Sequence, residues 1–402
     1  MARAFLIVID SVGIGGAPDA DKFFNGDVPD TGANTLGHIA EACASGLAEA
    51  GRSGPLKLPN LDRLGIGRAL TLASGLSAPN LEVVPDGFWA VATEISNGKD
   101  TPSGHWELAG VPVPWDWTYF SDTKPAFPDH VTSALCEAAG TDGILGNEHA
   151  SGTEVIERLG DEHVRTGYPI CYTSADSVLQ VAAHEERFGL DRLLEMCQKV
   201  APLLHGMKLG RVIARPFVGR DGDFKRTGNR RDFAIAPPAP TLCDWVKEAG
   251  GHVHAIGKIS DIFSGQGIGD VAKGRDVDLM EALKERVRGA AQGSLTFANF
   301  VEFDSEYGHR RDISGYARAL EWFDAEIGQV IDELRDGDLM VITADHGNDP
   351  SWVGTDHTRE RVPVLVYGAG AGSAGHVGFV DVAATVAAHL NVPIKGSGRS
   401  FL

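Results

Sequence analysis

The sequence predicts an α/β protein: a mainly parallel sheet flanked by helices, with a smaller α/β or α+β cap domain inserted into the chain. Three observations carry that expectation. Short apolar, β-branched runs, such as FLIVI at 5–9 and LMVI at 339–342, have the character of strands buried on both faces. They alternate with helix-length stretches on both sides of a central region. That region is bracketed by proline-rich segments at 111–128 and 236–240, which read as hinges rather than as elements. The expected partition is a core of residues 1–112 and 239–402 with the cap at 113–238.

In chain order, the first strand (4–9) stops at Asp10. The glycines at 13, 15 and 16 superficially match a dinucleotide fingerprint. Pro18 stands where the third glycine belongs, and Asp10 would face a pyrophosphate, which argues against a dinucleotide-binding oxidoreductase. A helix is expected over 35–50, then an apolar stretch at 61–64 leading into Gly65. WAVATEI at 89–95 is strand-like and runs into a small-residue turn that ends at Thr101, with Pro102 at a plausible first helical position. A hydroxyl there either caps the helix or faces a phosphate held at the helix N-terminus. Lys99, Asp100 and His105 in the same turn favour chemistry. Within the cap, helices are expected near 131–139 and 189–204 and strands near 169–173 and 211–214. Beyond it come a helix (241–248), a strand (252–256), a helix (277–291), a strand (295–303), a long helix (312–334), strands at 339–343 and 362–367, and a closing helix (380–389).

Composition narrows the function. A net charge of −19 argues against nonspecific nucleic-acid binding and against docking on anionic membranes. An anionic substrate would need metal ions or clustered arginines to hold it. Five scattered cysteines without a CxxC pair suggest reduced thiols. The apolar run at 5–9 is too short for a signal segment, and no stretch approaches the ~20 residues of a membrane helix, so a cytoplasmic location is expected. No obligate protein partner is evident.

The chemistry gathers at three strand ends. Asp10, Asp304 and Asp345 each follow a buried run, and His309, His346 and His357 stand beside the last two. Singly, an Asp after a strand is a turn residue and a lone His a satisfied polar group. Together they offer six oxygen and nitrogen ligands, enough for two sites of three, suited to Mn, Zn or Fe. A two-metal site clamps the attacking and leaving oxygens of a phosphoryl transfer.

The blocks DTPSGHWE (100–107), FDSEYGHRRD (303–312) and TADHGNDP…GTDHTRE (343–360) resemble the signature blocks of the alkaline-phosphatase superfamily, and most closely the bacterial phosphopentomutase family. The likeness continues through YTSADSVLQ (172–180), GRVIARPF (210–217) and AIGKISDI (255–262), and so covers nearly the whole chain. It implies an alkaline-phosphatase-like core with a mobile cap, and an isomerase that interconverts ribose 1-phosphate or 2-deoxyribose 1-phosphate with the 5-phosphate. It also implies two Mn2+ ions, one on Asp10, Asp345 and His346 and the other on Asp304, His309 and His357. Thr101 would be the nucleophile, ahead of Ser103, carried as phosphothreonine and primed by a sugar bisphosphate such as glucose 1,6-bisphosphate. The substrate's distal phosphate would fall to arginines near the end of the cap, Arg215, Arg226 and Arg230 with Arg231 as a further candidate, and its hydroxyls to Ser174 and Asp176. Lys99 could meet part of the phosphothreonine charge. Lys258 is read as neutralising Asp261, and His38, together with His184 on an expected helix, as structural. The rival readings are a metal-dependent phosphatase or cofactor-independent phosphoglycerate mutase on the same core, and a non-catalytic metal-binding protein.

Overall fold

The computed structural model describes residues 2–174 and 177–402 and divides into two compact units, Met1–Pro114 with Pro237–Leu402, and Trp115–Ala236. The larger unit is organised by an eight-stranded sheet. Its strands lie in the order Asp270–Ala272, Val253–Ile256, Leu295–Phe300, Arg3–Ile9, Asp338–Thr343, Val362–Tyr367, Phe88–Thr93 and Gly372–Gly378. Val362–Tyr367 runs against both of its neighbours, and the remaining pairings are parallel. Arg3–Ile9 is buried at every position, as expected of a central strand covered on both faces. Its register sets Ile9 beside Phe300 and Val8 beside Thr343, so three chain segments leave the sheet at one edge. That register, rather than sequence proximity, brings Asp10, Asp304 and Asp345 together.

Several elements differ from the expected ones. The helix expected over 35–50 is Thr35–Ala44: Ser45 caps it by bonding back to Glu41 and Cys43, and Gly46 at φ 72° turns the chain away. The strand expected over 295–303 ends at Phe300, and the chain then winds into a wide helical turn, Phe303–Gly308, that carries Asp304. The edge strand Gly372–Gly378 escaped the sequence pattern because GSAGHVG has little β-propensity, and it pairs through a bulge between Ser373 and Gly375.

The smaller unit is a mixed six-stranded sheet. Arg211–Arg220 lies parallel to Val178–His184 and antiparallel to Asp223–Arg226 and Arg231–Ala234. Alternation along the strands feeds two cores. Leu179, Val181 and Ala183 pack with helices Asp129–Ala139 and Leu190–Gly206, while Tyr172, Ala182 and Phe217 pack with helix Gly152–Thr166. His184, expected on a helix, ends the strand Val178–His184, and its Nε2 donates to the Gly219 carbonyl at 2.8 Å. All five cysteines are free thiols. No helix among the described residues is long and apolar enough to cross a membrane.

Candidate active site

Asp10 is buried one residue past the central strand. Asn299 Nδ2 donates to its Oδ2 at 2.9 Å, and its Oδ1 has no hydrogen-bond partner but lies 3.6 Å from His346 Nε2. Asp345 is held by the Ser11 N–H, 3.1 Å from its Oδ1. Its Oδ2 lies 3.2 Å from the same His346 nitrogen and 3.0 Å from His105 Nδ1, yet makes no hydrogen bond of good geometry. Buried carboxylate oxygens without donors are costly unless a cation meets them. Two such oxygens converging on one imidazole nitrogen are the donor set of a divalent transition ion, so the residues fit a metal.

The histidine tautomers point the same way. A carbonyl can only accept, so His346 Nδ1 donates to the Gly347 carbonyl at 3.1 Å and His309 Nδ1 to the Thr355 carbonyl at 2.7 Å. Each bond leaves Nε2 as the lone-pair nitrogen turned inward, the usual arrangement for metal-ligating histidines. His309 Nε2 faces His357 Nε2 at 3.1 Å, and these nitrogens lie 3.1 and 3.4 Å from the two oxygens of Asp304. The ligand atoms of Asp304, His309 and His357 lie within 4.8 Å of one another, and so do those of Asp10, Asp304 and His346. Asp304 therefore belongs to both groups, a sharing not foreseen from the sequence. Asp345 joins the group of Asp10, Asp304 and His346 through its 3.2 Å approach to His346.

Charge crowding dominates the electrostatics. Burial raises the Asp10 carboxyl well above its usual range, and the charges of Asp345 and Asp304 raise it further. Burial pushes Asp345 and Asp304 upward too, but His346 and His105 outweigh it at the first, His357 and His309 at the second, and both are held below the ordinary value.

Thr101 opens the helix Thr101–Leu108, whose cap is Asp100, with the Asp100 side chain accepting from the Ser103 N–H at 3.1 Å. Thr101 is thus the first helical residue and not the cap, and its hydroxyl donates to His346 Nε2 at 3.2 Å. The Ser103 hydroxyl is buried and donates to Asp100 at 3.2 Å. The helix sits hard against Asp345. A Cβ on Gly104 would lie 2.1 Å from the Asp345 carbonyl oxygen, so only glycine permits this approach. Lys99 Nζ is taken up by Asp30 at 3.1 Å, Asp356 at 3.4 Å and the Phe24 carbonyl at 2.8 Å.

Three residues that sequence reasoning passed over hold the site's loops. Arg311 donates to the carbonyls of Gly308, Asp349, Gly354 and Asp356 and to Asn348 Oδ1, clamping the loop between His346 and His357 onto the turn that carries Asp304. Glu360 is buried and accepts from the N–H groups of Gly15 and Thr35 and the hydroxyls of Thr35 and Thr358. Arg359, 1 % exposed, pairs with Glu94 and Asp19. They follow or lie inside the ligand motifs, and their signal was charge in segments otherwise read as ligands or turns. Lys258 does not pair with Asp261, which bonds Lys273 at 2.7 Å; it acts on Asp276. His38 donates to the buried Asp349 at 2.5 Å, a structural bond.

In the smaller unit, Arg215 Nε donates to Gln180 Oε1 at 2.9 Å. Gln180 also accepts from the Tyr172 hydroxyl at 3.3 Å and donates to Ser174 Oγ at 3.5 Å. Arg226 donates to Thr153 at 2.6 Å, and Arg230 forks onto Asp232 at 2.7 and 2.6 Å. Burial holds the Arg215 guanidinium below its ordinary pKa, and Arg230 and Arg226 add to the effect, so the three cations share one neighbourhood. Arg231 stacks instead on Phe233. Asp176 lies outside the described residues. Gln180, polar in the otherwise apolar strand VLQVAAH, is the cluster's organiser and was not singled out from the sequence.

Residues 2–394 match the family model of the metalloenzyme superfamily. The chain is 56% identical to the phosphopentomutase of Rhizobium leguminosarum bv. trifolii and 54% identical to that of Aeromonas hydrophila, with 100% of each chain covered in both comparisons. A solved phosphoglycerate mutase of Leishmania mexicana aligns over 98% of this chain and 97% of its own at 12% identity and a TM-score of 0.47. With whole chains aligned at more than half identity to proteins of that name, this protein belongs to the phosphopentomutase family, within the metalloenzyme superfamily.

Proposed function

We propose that the protein is a phosphopentomutase that works through a phosphothreonine at Thr101. The observation carrying this reading is the Thr101 hydroxyl, set at a helix N-terminus and donating to His346 Nε2 at 3.2 Å beside both groups of metal-type ligands. Ser103, the competing hydroxyl, spends its proton on Asp100. Two divalent ions, Mn2+ by the family pattern, would be held by Asp10, Asp345 and His346 and by Asp304, His309 and His357, and would act as Lewis acids on the transferring phosphoryl group.

The residues of the chain do the rest. The N-terminal N–H groups of helix Thr101–Leu108 and its dipole favour the negative charge of a phosphorylated Thr101. In the first transfer, the bond from phosphorus to Thr101 Oγ1 breaks and one to O5 of the pentose 1-phosphate forms, while the O5 proton ends on Oγ1. The second transfer runs in reverse from O1 of the resulting 1,5-bisphosphate, restoring phosphothreonine and releasing the 5-phosphate. Arg215 is favoured as the ligand for the phosphate that is not reacting, because Gln180 fixes its Nε and orients the guanidinium fork. Arg226, Arg230, Ser174 and Asp176 would complete that subsite and hold the sugar hydroxyls. Glucose 1,6-bisphosphate or a similar sugar bisphosphate would prime the enzyme, and the enzyme would work in the cytoplasm.

Incubation with glucose 1,6-bisphosphate followed by peptide mapping tests this. Phosphate is expected on Thr101, and ribose 1-phosphate is expected to become ribose 5-phosphate without release of inorganic phosphate. Phosphate on another residue, or steady release of inorganic phosphate, would overturn the reading.

A further inference from the structure

The core sheet ends, at the edge formed by Asp270–Ala272, in a third group of metal-type ligands that the proposed mechanism leaves unused. His252 immediately precedes the strand Val253–Ile256 and His254 lies within it, so the i, i+2 spacing puts both rings on one face. The neighbouring parallel strand supplies Asp270, directly in register with His254. His252 Nε2 and His254 Nδ1 both lie 2.9 Å from Asp270 Oδ2, and the two rings are 4.5 Å apart. Arg286 Nη2 pairs with the other oxygen, Asp270 Oδ1, at 3.1 Å, which His254 Nδ1 also approaches at 3.1 Å, so Oδ2 is the oxygen that both histidines share.

The backbone is shaped for this arrangement. A Cβ on Gly269 would lie 2.4 Å from His252 Cε1, so the bare backbone there makes room for the ring. His254 is buried, whereas His252 and Asp270 are about half exposed, so three ligand atoms converge while one side stays open to water or a further ligand. Two imidazoles and one carboxylate on adjacent strands form the three-residue ligand set of Zn2+ sites whose fourth position is filled by water, and not that of Mg2+ or Ca2+.

We propose that His252, His254 and Asp270 bind a Zn2+-class divalent ion at the sheet edge. The ion replaces two N–H donors on one carboxylate oxygen and staples the three-residue edge strand to its neighbour. The site is separate from the one containing Thr101, and its ion takes no part in phosphoryl transfer.

The test is metal stoichiometry on the full-length, chelator-stripped protein reloaded with Zn2+ alone and then dialysed. The parent is expected to retain three equivalents per chain, and His252→Ala and Asp270→Asn two, with circular dichroism unchanged. Both variants, loaded with Mn2+, are expected to keep the parent's rate of ribose 1-phosphate conversion. Zn2+ is expected to raise the melting temperature of the parent by more than that of His252→Ala. Two equivalents in the parent, or three in His252→Ala, would overturn the proposal.

Discussion

The helix bearing Thr101 owes its close approach to Asp345 to the absence of one methyl group. Gly104 is the fourth residue of helix Thr101–Leu108, and a Cβ there would meet the Asp345 carbonyl oxygen at 2.1 Å and the Asp345 Cβ at 2.9 Å. Neither is the far end of a flexible side chain. Ordinary contact requires the helix and the 344–346 backbone to separate by roughly 1 Å. Overpacking of that kind costs about 1–3 kcal/mol of stability. A shift of ~1 Å at a reacting group lowers the rate by ~100-fold. Gly104→Ala should therefore fold, melt a few degrees lower, and lose activity out of proportion to its stability. The assay is conversion of ribose 1-phosphate to ribose 5-phosphate at saturating Mn2+, beside a thermal melt and a measurement of bound Mn2+. Gly289→Ala is the control, since nothing lies within 4 Å of a Cβ at that helix end. Gly104→Ala with activity within threefold of the parent and an unchanged melt would refute the idea that this contact sets the geometry of Thr101.

Arg311→Gln should weaken Mn2+ binding at Asp304, His309 and His357 by about 10–100-fold, since it releases the loop bearing His357; titration by electron paramagnetic resonance would show this, and an unchanged isotherm would count against the clamp. Arg215→Lys should raise KM for the pentose phosphate by roughly tenfold or more with kcat little altered, because a point charge cannot replace a fork; a fall confined to kcat would contradict the binding role. Asp276 accepts from the N–H groups of Val301 and Glu302, and burial followed by the Glu302 charge raises its pKa to about 7. The folded chain then holds a proton that the unfolded chain has already lost, so this residue's contribution to stability declines as pH rises from 3.8 to about 7. Asp276→Asn should flatten that part of a denaturant-derived stability profile, and an unchanged slope would exclude Asp276 as its source.

The legible part of the molecule was what local pattern dictates. Apolar runs of strand length located the central sheet, and the Asp and His residues following them marked the candidate cluster, because a parallel sheet delivers its carboxyl ends to one edge. The hidden part was whatever depends on partners remote in sequence. Asp304 could be read as a ligand, but not as a member of two groups, since that depends on the turn Phe303–Gly308 replacing the end of a strand. Nor does anything local in VLQVAAH announce that Gln180 will orient Arg215, because the pairing rests on the register of two strands. His184 was misassigned for the reverse reason: a buried histidine next to Glu185 and Glu186 resembles a helix start, and a helical turn does begin there, one residue too late.

Those remote partners also explain how an acidic chain tolerates its own active site. The charges of Asp345 and Asp304 oppose the ionisation of Asp10 at close range, and a flexible loop would relieve the repulsion by moving apart. The loops here are cross-tied instead. Glu360 ties the segments at 15, 35 and 358 by accepting four hydrogen bonds, and Arg359 ties 94 and 98 to the same strand entry. Arg311 closes the remaining side. Buried charges contribute little net stability, because desolvation offsets their attraction, but severing one is strongly destabilising. Their effect is to make any rearrangement of the 344–360 backbone costly, which keeps the carboxylates facing each other. A preorganised cluster of that kind takes up divalent cations without first paying to assemble itself, and it holds the Thr101 hydroxyl against a floor that does not yield.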